Sequence, residues 1–160
     1  MLHYLLILLA FMADQLSKRW ALDFLNENGM TRLKPLLTVR ETYNEGIAFG
    51  MFKGIGPLVG WLTIAVLIGL FVYLVRVPRE QILLRSGLAL LIGGALGNLV
   101  DRITVGRVLD FLQTPLRPGI FNLADTFIYL GIFLVFLGSF VAHRSSEEGE
   151  QAVESGNNLP

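Results

Sequence analysis

The chain has 160 residues, 53% of them hydrophobic and 16% charged, with 13 basic residues balanced by 13 acidic ones. That length fits one domain, but the apolar residues lie in long blocks rather than in alternation, which argues against a water-soluble fold; the balanced charge offers no basic patch for a phosphate backbone and so excludes nucleic acid as a partner. Cysteine is absent and histidine is confined to His3 and His143, so a disulfide framework, a thiolate nucleophile, a Ser-His-Asp arrangement and a Cys- or His-rich metal site all lack their parts.

The first apolar block, Met1 to Ala13, covers only about 20 Å as helix. A first span of about 2–24 must therefore run on through Asp14, Ser17, Lys18 and Trp20. Lys18 and Arg19 follow the apolar core instead of preceding it, the reverse of a cleaved signal peptide. Next comes a segment with the β-prone run Leu36 to Tyr43, which predicts a small surface strand or hairpin within about 30–50.

Gly54 to Val75 contains 22 residues without a charge, enough for a second span at about 57–75. The polar turn Arg76-Val77-Pro78-Arg79-Glu80 joins it to a third span at about 82–100, so these two helices are antiparallel neighbours. Asp101 to Phe121 holds Pro115, Pro118 and Gly119 and reads as a loop. A fourth span covers about 122–141, and residues 145–160 form a polar, acidic tail that is expected to be disordered. The expected fold is thus an all-α integral membrane protein, a single domain over 1–144 with four transmembrane helices and a small β-rich segment between helices 1 and 2.

With four spans, both long segments emerge on one side. Most basic residues flank or lie in them (Lys18, Arg19, Arg32, Lys34, Arg40, Lys53, Arg102, Arg107 and Arg117), against Arg76, Arg79, Arg85 and Arg144 on the other. Simple positive-inside counting would place the long segments in the cytoplasm.

Ionisable groups at membrane depth are costly and mark function by default. Four acids qualify: Asp14, Asp101, Asp110 and Asp125. Asp14 and Lys18 share a helix face four residues apart, which permits an anchoring ion pair that snorkels to the interface. Asn98 and Arg102, also four apart, end the third span next to the small-residue face of Gly93 and Gly97; the glycines point to a close helix contact, and the polar pair supplies donors for a peptide carbonyl or an acidic group. Asn122 and Asp125 resemble a helix cap, whereas Asp110 stands alone among apolar neighbours and needs a partner or a proton. If Asp110 and Asp125 converge, they hold one proton between them and can hydrolyse a peptide without a covalent intermediate. Ser17 and Lys18 are adjacent on a helix and do not face each other, which argues against a Ser-Lys mechanism.

Taken in order, Asp14-Gln-Leu-Ser-Lys18, Asn44-Glu-Gly-Ile-Ala-Phe-Gly50, Gly97-Asn-Leu-Val-Asp-Arg102, Val108-Leu-Asp-Phe111 and Phe121-Asn-Leu-Ala-Asp125 resemble the motifs of lipoprotein signal peptidase (signal peptidase II), the aspartic protease of the bacterial inner membrane. The resemblance implies a catalytic pair, Asp110 and Asp125. It implies that Asn44, Gly46, Asn98, Arg102 and Asn122 line the substrate site, that Asp14 and Lys18 support it, and that the stretch containing Ala48 and Phe49 helps to position the peptide.

It further implies a prolipoprotein substrate cleaved before a cysteine bearing diacylglycerol, contact with membrane lipids, no metal or organic cofactor, and a monomer. By the same resemblance, the β-rich segment and the acids lie near the periplasmic face and both termini are cytoplasmic, against the charge count. A small transporter or proton-coupled carrier is the rival reading of intramembrane Asp and Arg residues, and a non-catalytic assembly factor is a third.

Overall fold

A computed structural model describes residues 1–34, 36–45 and 56–157. In chain order the elements are α1 (Leu2–Asn28), β1 (Thr31–Lys34), β2 (Leu37–Asn44), α2 (Gly56–Arg76), α3 (Ile82–Thr104), β3 (Val108–Thr114), β4 (Arg117–Phe121) and α4 (Leu123–Asn157). From Leu2 to Asn28 there is no glycine or proline, so α1 runs without a break. It stops at Gly29, whose positive φ of 66° and N–H bond to Leu25 O close the last turn. Pro78, two residues past α2, prevents that helix from continuing.

Among the described residues, three helices have stretches long and apolar enough to cross a membrane: Val59–Arg76, Ile82–Thr104 and Leu123–Arg144. α3 is the central helix, with α1, α2 and α4 all packed on it. The core between α2 and α3 contains Leu67, Leu74, Leu84, Leu88 and Ile92. Close approach depends on missing side chains: a Cβ on Gly87 would lie 2.7 Å from Val135 N of α4, and one on Gly93 would lie 2.7 Å from Ala10 Cβ of α1. Small residues of this kind let helix backbones meet where lipid supplies no hydrophobic drive. The outward surfaces of α2 and α4 stay apolar, with Trp61, Ile68, Phe133 and Phe136 exposed.

The segment Asp101 to Phe121, expected as a loop, contains the hairpin β3–β4. It pairs with β1–β2 in one antiparallel sheet of order β1-β2-β3-β4. The β-rich part therefore comes half from between α1 and α2 and half from between α3 and α4. Pro115 lies at the hairpin turn, and Pro118 falls in β4, an edge strand where a missing N–H is tolerated. Along β3, Leu109 and Phe111 point to one face, where they pack with Val39 on Ala21 and Leu25 of α1. Val108 and Asp110 alternate to the other face. The central register sets Thr42 opposite Asp110 and Asn44 opposite Val108, and Arg107 lies over the Tyr43 ring, 3.9 Å from its centroid.

α4 continues to Asn157, so the tail expected to be disordered from 145 is helical to that residue. Glu, Gln and Ala are good helix formers, and lengthening an existing helix avoids the cost of nucleation.

Candidate active site

The polar site forms where four elements converge: the middle of α1, the C-terminal end of α3, β3 and the start of α4. At its base lies Lys18, only 5% exposed, beside Asp14, which is fully buried. Lys18 Nζ pairs with Asp14 Oδ2 at 2.7 Å and Asp101 Oδ2 at 2.8 Å. The expected snorkelling pair is thus an interior network. Gln15 Nε2 donates to Asp14, Asp101 and the Gly97 carbonyl, each at 3.2 Å. Asp14 Oδ1 accepts the Ala124 N–H at 2.9 Å and Asp101 Oδ2 the Leu109 N–H at 3.3 Å. One lysine and two carboxylates thereby tie α1 to α3, to β3 and to the first turn of α4. Gly97 makes room for this, since a Cβ there would collide with the Asp14 carboxylate.

Above the network stand two asparagines. Asn98 Oδ1 accepts from Lys18 Nζ at 3.1 Å and from Asn122 Nδ2 at 3.0 Å, while Asn98 Nδ2 donates to Asp125 Oδ1 at 3.1 Å. Asn122 Nδ2 also donates to Asp110 Oδ1 at 2.7 Å and to the Leu109 carbonyl at 3.3 Å. Its Oδ1 accepts the Asp125 N–H at 2.9 Å, the helix cap expected from the sequence. Cap and site are the same side chain.

Asp110, only 5% exposed, takes a second donor from Asn44 Nδ2, at 3.4 Å to Oδ2. Asn44 reaches it because diagonal neighbours across a strand pair share a face. Burial, and then the charge of Asp125, push the Asp110 carboxyl up to about 7, against the opposing hydrogen bonds from Asn44 and Asn122. Desolvation and a neighbouring like charge both favour the protonated acid.

Asp14, Lys18, Asn44, Asn98, Asp110, Asn122 and Asp125 are thus drawn into one connected site. Arg102 adjoins it, its Nη1 donating to the Asn98 carbonyl at 3.2 Å and its charge felt by Asp125, Asp110 and Asp101. Gly46, Ala48 and Phe49 lie outside the described residues. Sequence reasoning counted Asp101 among the intramembrane acids without joining it to the site, and overlooked Gln15. The available signal was spacing: Asp101 is three residues beyond Asn98 and four beyond Gly97, which puts all three on one helix face. Among the described residues, no group of three or more His, Cys, Asp or Glu is placed to hold a metal ion.

Residues 6–141 match the family described as Signal peptidase (SPase) II. The lipoprotein signal peptidase of Mesorhizobium japonicum is 43% identical over 147 residues, 89% of this chain and 87% of that protein. The lipoprotein signal peptidase of Shewanella amazonensis is 36% identical over 153 residues, 91% of this chain and 90% of its own. Two solved structures, each described as a bacterial membrane enzyme, share the fold with TM-scores of 0.78 and 0.76, at 25% and 27% identity, covering 90% and 84% of this chain and 90% of each of theirs. Matched over most of its length, the chain belongs to the signal peptidase II family and is an integral membrane peptidase.

Proposed function

We propose that the protein removes the signal peptide from prolipoproteins by cleaving before a cysteine that bears diacylglycerol, and that Asp110 and Asp125 are its catalytic pair. The observation that supports this most directly is the hydrogen-bonded chain from Asp110 through Asn122 and Asn98 to Asp125. It links two carboxyl groups from separate elements, one of them buried enough to stay protonated up to about pH 7.

In this reading the pair shares one proton, seated on Asp110. Water attacks the scissile carbonyl carbon as the ionised carboxylate takes its proton, and Asp110 gives its own to the carbonyl oxygen. The resulting diol collapses with breakage of the C–N bond, and a proton passes to the departing amine. Asn98 and Asn122 hold the carboxyls in place before the reaction, so little reorganisation is required in a water-poor site. Arg102 and Asn44, with the segment of Gly46, Ala48 and Phe49, position the peptide. The apolar outer faces of the helices receive the acyl chains, so substrate enters from the bilayer.

The same proposal takes α1 as a fourth span. Its charged residues Asp14 and Lys18 are turned inward into ion pairs, which lowers the cost of placing them in lipid. It sets the protein in the bacterial inner membrane, the sheet and acids near the periplasmic face and both termini in the cytoplasm. Every residue of the site comes from one chain, so a monomer suffices.

The test is cleavage of a diacylglyceryl-modified prolipoprotein by the purified protein and by its Asp110→Asn and Asp125→Asn variants, with a thermal unfolding check on each. Loss of cleavage in both folded variants is expected. Retained cleavage in either would remove that residue from the mechanism, and retention in both would refute aspartic catalysis by this pair.

A further inference from the structure

The far end of the bundle holds a second polar cluster that peptide cleavage does not use. Arg85 lies on α3 about 20 Å from Asn98 along the helix and is 8% exposed. Its Nη1 donates to the carbonyls of Leu74, at 2.9 Å, and Val77, covering the C-terminal end of α2. Its Nε donates to His3 Nδ1 at 3.5 Å. Since Nδ1 accepts, the proton of the neutral imidazole is on Nε2. That Nε2 is buried and makes no well-formed hydrogen bond among the described residues, although the Ile82 backbone lies close enough to interact with the imidazole. Arg85 Nη2 likewise donates to nothing among them.

These groups border a cavity of about 730 Å3, lined by His3, Arg76, Arg79 and Arg85 and, on its apolar side, by residues including Leu2 and Val75. No acidic side chain lines it; Glu80, the acid of the α2–α3 turn, faces a different groove, between α3 and α4. Among the described residues none of the three arginines has an ion-pair partner. α1 and α2 both pack on α3 and meet one another at Tyr4 and Phe71, whose rings lie 6.3 Å apart; beside that contact the cavity is bordered by Leu2, 67% exposed, and Val75, 56% exposed, both on the outward apolar surface.

We propose that this cavity binds an anionic membrane lipid, its phosphate held by Arg76, Arg79, Arg85 and His3 and its chains lying along the exposed apolar surface beside it, past Leu2 and Val75. Guanidinium groups match phosphate oxygens in geometry as well as charge. Three of them around an acid-free cavity repel one another until an anion arrives. A free phosphate would satisfy the cationic half only. The apolar half selects the lipid.

The test uses the full chain in detergent, with phosphatidylglycerol, phosphatidylcholine and inorganic phosphate as probes, read by native mass spectrometry and thermal shift. Arg76 and Arg79 are exposed, so an R76Q/R79Q variant keeps the fold. Phosphatidylglycerol is expected to bind and to raise the unfolding temperature, phosphatidylcholine to do neither. The variant is expected to bind phosphatidylglycerol about thirtyfold more weakly, at roughly 1 kcal/mol for each arginine removed, while cleaving prolipoprotein as before. Equal binding of the two lipids, or undiminished binding by the variant, would overturn the site. Equal stabilisation by inorganic phosphate would reassign it to a free anion.

Discussion

Asn122 donates to Asp110 Oδ1 at 2.7 Å, and the oxygen of the same amide accepts the backbone N–H of Asp125 at 2.9 Å. One side chain therefore holds one acid directly and fixes the helix start that presents the other. The two tasks can be separated. Asn122→Ala is expected to lose about 1 kcal/mol of stability with the cap and about a hundredfold in kcat with the positioning donor. Asn122→Ser, which can still cap, is expected to recover the stability and none of the activity. Thermal unfolding and single-turnover cleavage on the two variants check this.

Because burial and the charge of Asp125 raise the Asp110 carboxyl to about 7 from the usual 3.8, the folded protein keeps a proton that the unfolded chain releases between those values. Stability contributed by that proton is lost as pH rises through the window, and the cost is fully present above about 7. Cleavage is expected to decline as pH passes about 7 and the pair loses its shared proton. Asp110→Asn, which cannot ionise, is expected to gain in unfolding temperature over the parent from pH 5 to pH 8.5. A constant difference across that range would contradict the raised carboxyl.

Lys18 serves two buried carboxylates, Asp14 and Asp101, at 2.7 and 2.8 Å. Removing the shared cation strands both charges, so Lys18→Met is expected to cost roughly 3–5 kcal/mol. Adding Asp14→Asn and Asp101→Asn to that variant should recover a large part of the loss, because the stranded charges then disappear. A triple-mutant cycle over these three residues in chemical denaturation measures the coupling.

Gly97→Ala sets a methyl group against the Asp14 carboxylate and is expected to destabilise by roughly 1–3 kcal/mol through overpacking, with loss of cleavage as the network shifts. At Gly69 nothing lies within 4 Å of an added Cβ. Gly69→Ala should therefore stabilise by roughly 0.5–1 kcal/mol, the gain in helix propensity.

The helices were legible because uncharged blocks such as Gly54 to Val75 leave few alternatives. The hairpin β3–β4 was not, since Pro115, Pro118 and Gly119 are loop signals; the edge position that excuses Pro118 exists only once β2 has paired with β3. Within the site, Asp110 was legible as an acid in an apolar run, and Asn122 as a cap. The contact of Asn98 with Asp125 was not, because an asparagine at a helix end looks the same whether it faces a peptide or a carboxylate. Charge counting assumed that basic residues mark the flanks of spans. Lys18 is instead enclosed in ion pairs, and Arg85 is turned inward, with its Nη1 on carbonyls at the end of α2.

The sheet draws its two hairpins from opposite halves of the polypeptide, β1–β2 before α2 and β3–β4 after α3. During synthesis the early hairpin must wait, half paired, until two further helices have entered the bilayer. Asp110 then arrives with its strand and Asp125 only with the final helix. On the proposed assignment of these two acids as the catalytic pair, a nascent chain cannot cleave before its final helix is in place.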